Sequence, residues 1–302
     1  MTGKNLLVVG GSGFIGKNII KFYKKKKFKI YNLSLNKKNL DADININLNI
    51  NDKKLLKNKI GKLDINFIIY TAGYVKHNQL NEYDEITLFS HYIGLKNLLN
   101  SISLSKLKKI IYIGSSEEYG ESTKKLDEKS IIAPNTFYGL SKYLSSIYLF
   151  NLHQEINLPV TIFRPFLLYG PHQDSNRLIP YLIKNLINNK KISCSSGSQI
   201  RDFLHIDDFV KATYLAYKLK KTNGEIFNIA SGRPIKIKMI YNIMKKYFSK
   251  SNIKTTKKIR KSEREILYAD ISKAKAIMRW EPSINIYDGI KETINHFKHN
   301  ER

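Results

Sequence analysis

Apolar residues occur along this chain in two patterns: short, nearly unbroken runs, and longer stretches in which they recur every three or four positions. Leu6 to Val9, Ile30 to Leu33, Phe67 to Tyr70, Ile110 to Ile113 and Val160 to Phe163 follow the first pattern and predict strands buried on both faces. Residues 14–26, 83–105 and 137–153 follow the second and predict helices between them. Strands interleaved with helices imply a doubly wound α/β fold, a parallel sheet covered on both faces. From Pro165 onward the alternation is less regular, with Pro and Gly punctuation at 170–171, 197, 232–234 and 282. A smaller, partly interleaved C-terminal lobe is expected there.

Composition narrows the class. The 302 residues are 42% hydrophobic, enough for one large domain or two ordinary ones. No stretch of 18 apolar residues is present to span a bilayer, and the opening Met-Thr-Gly-Lys does not look like a secretory signal, so a cytoplasmic protein without a membrane partner is expected. A single cysteine, Cys194, leaves no internal disulfide framework and no cysteine-based zinc site, and no metal is expected. The formal charge of +27 has two readings. A basic surface suits phosphate-rich partners, from nucleotides to nucleic acid. Alternatively Lys, Asn and Ile are over-used throughout, as at Lys24–Lys27 and in the Asn/Ile-rich 44–51, with the lysines scattered and solvated.

The first strand runs directly into residues 10–16, GGSGFIG, and then a helix. Gly10 permits a tight turn, Gly13 lets backbone approach a pyrophosphate, and Gly16 allows close packing of helix on strand. The helix N-terminus offers N–H groups and partial positive charge to phosphates. The motif therefore predicts a dinucleotide site, with Phe14 and Ile15 beside the glycines and Ala72 at the end of a neighbouring strand. Ser34 occupies the end of the second strand, where an acidic residue would hold ribose hydroxyls, and Lys37 and Lys38 follow. A hydroxyl with nearby lysines accepts a 2′-phosphate, so NAD(P) is expected with a lean to NADP(H).

Residues 138–142 read YGLSK, which puts Tyr138 and Lys142 on one helical face. A phenol with pKa near 10 is a poor acid or base at neutral pH, and an ammonium one turn away is expected to lower it. The strand at 110–113 leads to Ser115, Ser116 and Glu117, at the strand end that faces the ligand crevice of such a sheet. Ser115 is placed to hydrogen-bond the substrate oxygen that Tyr138 protonates or deprotonates.

With these landmarks the chain resembles the extended short-chain dehydrogenase/reductase family, in its nucleotide-sugar epimerase/dehydratase branch. The likeness covers nearly the whole chain, through GGSGFIG, IIYTAG at 68–73, SSEEYG at 115–120, YGLSK, RPFLLYGP at 164–171, RDFLHIDD at 201–208, FNIASG at 227–232 and WEP at 280–282. The resemblance implies a Rossmann domain at 1–164, returning near 201–230, and a mainly substrate-binding lobe at 165–302. It implies a Ser115–Tyr138–Lys142 triad, with Lys142 also on the nicotinamide ribose. It further implies a nucleoside-diphosphate sugar as substrate, its diphosphate held by Arg201 and Arg260, and a homodimer through the helices at 83–105 and 137–153. Guanidinium forks suit a diphosphate; the competing role for Arg201 is an ion pair with Asp202. The chain departs from the family at Val9, His91 and Leu167, where Thr, Asn and Asn are frequent, and His91 is expected to be a plain helix-face residue.

The shared chemistry is hydride transfer at a sugar carbon, with Tyr138 as general acid/base. Related dehydratases often carry Asp-Glu after the Ser or Thr; here Ser116-Glu117 lacks the acid and keeps a base. The reading is a 4-epimerase or 4-keto-sugar reductase, the alternative a 4,6-dehydratase or decarboxylase using Glu117, and for Glu117 itself a capping carboxylate. A non-catalytic NADP-binding or nucleic-acid-binding protein is the rival from another class, but no basic arm or recognition motif for nucleic acid is present.

Overall fold

The computed structural model describes residues 4–36, 40–73, 83–249, 252–256 and 264–300. Six strands, β1 (Asn5–Val9), β2 (Lys29–Ser34), β3 (Ile44–Asn47), β4 (Phe67–Tyr70), β5 (Lys109–Ile113) and β6 (Val160–Pro165), join the strand Glu225–Ile229 in one sheet. Its order is Glu225–Ile229, β6, β5, β4, β1, β2, β3, and every pairing is parallel. Consecutive residues of a strand serve opposite layers. Leu6, Val8, Ile30, Phe67, Ile69, Ile111 and Phe163 form one core with helices α1 (Phe14–Lys25) and α7 (Ile206–Lys218). Leu7, Val9, Tyr31, Ile68, Tyr70, Ile110 and Tyr112 form the other, under α2 (Lys53–Ile60), α4 (Gly94–Leu99) and α5 (Phe137–Ile156). Burial on both faces is why these strands read as continuous apolar runs. This is a Rossmann-like sheet.

Two elements differ from the expected pattern. The Asn/Ile-rich segment at 44–51, read as compositional bias, contains the edge strand β3, Ile44-Asn45-Ile46-Asn47, whose end residues are exposed and whose middle two are half-buried. The helix expected over 83–105 is α3 (Tyr83–Leu88), a π turn at Phe89–Ile93, and α4, ending at Leu99.

A third core lies beyond the sheet. It unites Tyr169, Ile179, Leu182, Ile183, Phe203, Ile240 and Ile290, from short strands and from α6 (Leu178–Ile187), α8 (Ile237–Tyr247) and α10 (Ile286–Asn300). The chain returns to the sheet with α9 (Ser272–Met278) and Trp280, which is 2% exposed and donates to the Asp208 carbonyl of α7 at 3.1 Å. No helix of the described residues is long and apolar enough to cross a membrane.

Lys109 opens β5 fully buried, its ammonium donating to Thr222 Oγ1 and Asn223 Oδ1, both at 2.6 Å. Burial lowers its pKa from 10.5 to about 7. The unfolded chain therefore binds one more proton than the folded one between these values, so Lys109 costs stability progressively as pH falls from 10.5 to about 7, and no further below that. Lys109→Met is expected to remove roughly 1.4 kcal/mol per pH unit from the slope of unfolding free energy between pH 8 and 10. Urea titrations at pH 8 and 9.5 check this; an unchanged slope rejects the buried-charge assignment.

Candidate active site

The order of the sheet reverses between β1 and β4, and the loops after their C-terminal ends flank the crevice where doubly wound folds bind ligands. Thr71 closes the far side, donating to the Val9 carbonyl through both its backbone N–H and its Oγ1, each at 2.8 Å. Gly10 turns there with φ +87°, and a Cβ on it would lie 2.7 Å from the backbone of Ala72. Gly16 packs α1 onto the loop: its Cβ would run into the carbonyl of Gly10 and, at 2.5 Å, the Cα of Gly11. Gly13 is different, because a Cβ there would meet only the Gly10 oxygen at 3.4 Å. No close contact among the described residues demands glycine at 13. No side chain caps α1, and its first turn, from Phe14 and Ile15, carries no acidic residue. An uncapped helix end behind a loop kept clear by glycine fits a pyrophosphate.

Ser34 ends β2 buried, with its hydroxyl donating to the Asn36 carbonyl at 3.2 Å and receiving Asn32 Nδ2 at 3.4 Å. Lys37 and Arg260 lie outside the described residues.

Beyond β5, Ser115 begins a short helical turn at Ser116–Tyr119 as its capping residue. Its Oγ accepts the Glu117 N–H at 3.1 Å, and its own N–H donates to Glu118 Oε1 at 2.9 Å. Thr136 caps α5 by accepting the Gly139 N–H at 3.0 Å, which sets the first turn that carries Tyr138. Ser115 and Tyr138 hydrogen-bond through their side chains. Lys142, one turn on, is buried; its Nζ donates to the Ile113 carbonyl at 2.8 Å and lies 5.9 Å from the Tyr138 ring centroid.

The three residues meet, but the electrostatics differ from expectation. Burial pushes the Tyr138 pKa up to about 12, against the lowering effect of its bond to Ser115, and the nearby Glu117 and Glu118 add to the rise. Burial also lowers Lys142 from 10.5 to about 8. The expected lowering of the phenol by this lysine is thus overturned in the protein alone. Desolvation penalises both charged forms and outweighs an ammonium that is engaged with a carbonyl.

Glu117 caps no backbone N–H among the described residues. Its Oε2 pairs with Arg264 at 3.0 Å, and Arg264 also reaches Asn135 Oδ1 at 3.3 Å. Arg201 is buried at 7% exposure, and its guanidinium donates to the carbonyls of Ile200, Arg264 and Glu265. Asp202 is occupied elsewhere, accepting from Ser231 and from the backbone N–H of Gly232 at 3.0 Å. Three residues of the site were given no role in the sequence reading. Glu118 is fully buried and pairs with Arg164 at 2.8 Å while also accepting from Ser115 N and Ser146 Oγ. Arg264 is the third. Only SEEYG, with its second glutamate, hinted at Glu118.

A parallel sheet with a glycine loop at its switch point, and a Ser-Tyr-Lys cluster across the crevice, define a dinucleotide-binding α/β protein built for chemistry beside the nucleotide. The profile of the NAD dependent epimerase/dehydratase family matches residues 6–230, and the chain belongs to that family. A putative UDP-glucose 4-epimerase of Methanocaldococcus jannaschii is 29% identical over 98% of this chain and 99% of its own length. A dTDP-D-glucose 4,6-dehydratase of Dictyostelium discoideum is 31% identical, over 76% of this chain and 58% of its own. In fold, a UDP-glucose 4-epimerase of Thermotoga maritima, solved with UDP-glucose, superposes with a TM-score of 0.90 at 23% identity, covering 99% of this chain and all of that one.

Proposed function

We propose that this protein is a nucleoside-diphosphate-hexose 4-epimerase, with 4-keto-sugar reduction as the one-way form of the same chemistry. The observation that carries this reading is the ion pair of Glu117 with Arg264. Elimination needs a carboxylate free to take a proton from C5 and an acid to release the C6 hydroxyl. Here the carboxylate is engaged and the residue before it is Ser116. The full-length likeness to a putative 4-epimerase supports the same side.

The bound dinucleotide supplies hydride transfer to and from C4 of the sugar. Gly10, Gly13, Gly16 and the α1 N-terminus would hold its pyrophosphate, and Lys142 its nicotinamide ribose. Tyr138 takes the C4 hydroxyl proton and returns it, and Ser115 orients that oxygen. With a pKa of about 12 the phenol needs positive charge nearby to ionise at neutral pH. Lys142, still largely protonated there, and Arg177 are the cationic groups the protein brings to it. Arg201 and Arg260 are assigned to the diphosphate.

Glu117→Gln tests the reading. Epimerisation of a UDP- or dTDP-hexose is expected to stay within about tenfold of wild type, since removal of a true general base costs roughly 10²–10⁴. A loss in the upper part of that range favours elimination instead. Ser34 leaves no carboxylate to repel a 2′-phosphate, so NADPH is expected to bind more tightly than NADH; fluorescence titration showing the reverse order rejects this part. A homodimer through α3, α4 and α5 completes the proposal. Ile86, Leu140 and Ile147 are 48, 40 and 37% exposed on those elements and Phe89 is 45% exposed on the π turn between α3 and α4, and a monomer in sedimentation at micromolar concentration removes it.

A further inference from the structure

His91 departs from the family pattern and occupies the middle of the π turn Phe89–Ile93, where the Gly94 N–H reaches back five residues to the Phe89 carbonyl. Such turns insert one extra residue into a helix and re-aim the side chains around it. The His91 ring is fully buried. Its Nδ1 lies 2.6 Å from Ser141 Oγ, and Ser141 Oγ in turn lies 2.8 Å from the backbone carbonyl of Tyr138. The ring meets the Tyr138 ring edge to face, with centroids 5.4 Å apart and planes at 76°. On its other side it presses on Gly73, where a Cβ would overlap it, and its Nε2 has no hydrogen-bond partner among the described residues.

We propose that His91 is a positioning residue for the reaction: it fixes the first turn of α5 through Ser141 and braces the Tyr138 ring, so that the phenol stays on Ser115. This rests on the assignment of Tyr138 as the acid/base. Ser141 has one hydroxyl proton. When it donates that proton to the Tyr138 carbonyl it accepts from His91, which then carries its proton on Nδ1. Burial, reinforced by the charge of Lys142 on α5, holds His91 well below its usual pKa, so it stays neutral and keeps this role across the working pH range. The Ser115 bond lowers the phenol pKa, whereas Glu117 and Glu118 raise it and Arg177 lowers it from the other elements. Letting the ring drift off Ser115 therefore moves the pH dependence of turnover upward.

The test compares His91→Phe, which keeps the ring and loses Nδ1, with His91→Asn, whose amide nitrogen stands where Nδ1 does. The Phe variant is expected to lose about 30-fold or more in kcat with KM nearly unchanged, and the rising limb of its kcat–pH profile moves to higher pH. The Asn variant recovers most of the rate. Wild-type kcat and profile in the Phe variant, or equal losses in both, overturn the proposal. If His91→Phe does not fold, Ser141→Ala breaks the same link without added bulk, and a wild-type profile there overturns it equally. Tyr138→Phe is the control that separates the two claims: if it stays active the reaction assignment fails, and if it is dead while the His91 variants match wild type only this inference fails.

Discussion

Tyr138→Phe is expected to lower kcat by about 10³-fold while dinucleotide affinity stays within about threefold. The substitution removes one oxygen from a ring held by α5 and by the His91 contact, so the crevice keeps its shape. What disappears is the group hydrogen-bonded to Ser115 and facing the place assigned to the sugar oxygen. Because the oxygen acts mainly as charge and proton move, the loss falls on kcat rather than on substrate binding. Steady-state kinetics with a nucleotide-sugar panel, read by mass or NMR, measure it. Epimerisation returns the cofactor unchanged, so absorbance alone is blind to it.

Glu118→Gln is expected to destabilise the fold by about 3–5 kcal/mol and to lower activity with it. Glu118 and Arg164 are 0 and 3% exposed in their side chains, so removing one charge strands the other away from water. Arg164 also stacks over Tyr119, 4.7 Å from its centroid, and Tyr119 donates to Asn228 Oδ1 at 2.7 Å, which links β6 to the neighbouring strand Glu225–Ile229. The same carboxylate positions Ser115 through its backbone N–H, so the lesion reaches the active site. The double variant Glu118→Leu/Arg164→Met, which leaves no unpaired charge, is expected to recover much of the stability but not the activity. Urea denaturation of both variants checks the pair; equal stability of Glu118→Gln and wild type contradicts it.

The parallel strands and the glycine loop after the first of them were legible in the sequence because both are written in contiguous residues. A buried parallel strand must be apolar throughout, and the turn at Gly10 admits little but glycine. YGLSK was legible because helical spacing alone brings Tyr138 and Lys142 together. The strand β3 was hidden by a low-complexity run whose alternation looked like bias. The π turn at Phe89–Ile93 leaves no periodicity that a pattern of apolar residues would show. The Glu118–Arg164 and Glu117–Arg264 pairs join residues 46 and 147 positions apart, beyond any local spacing rule. The Tyr138 pKa went the other way for a related reason: charge spacing along a helix is visible in a sequence, but the depth at which the fold buries that helix is not.

The claim beneath all of this is that the buried Tyr138 phenol, bonded to Ser115, exchanges a proton with a sugar hydroxyl at the carbon that is oxidised and reduced. Nucleotide hexoses carrying deuterium at C4, offered with UDP, dTDP, GDP or CDP and followed by proton NMR, test it most directly. The account predicts that one of them is inverted at C4 with its deuterium retained, and that the Tyr138→Phe protein forms none of that product over the same interval. A 4-keto-6-deoxy product bearing solvent hydrogen at C5, or inversion by Tyr138→Phe at the wild-type rate, contradicts it.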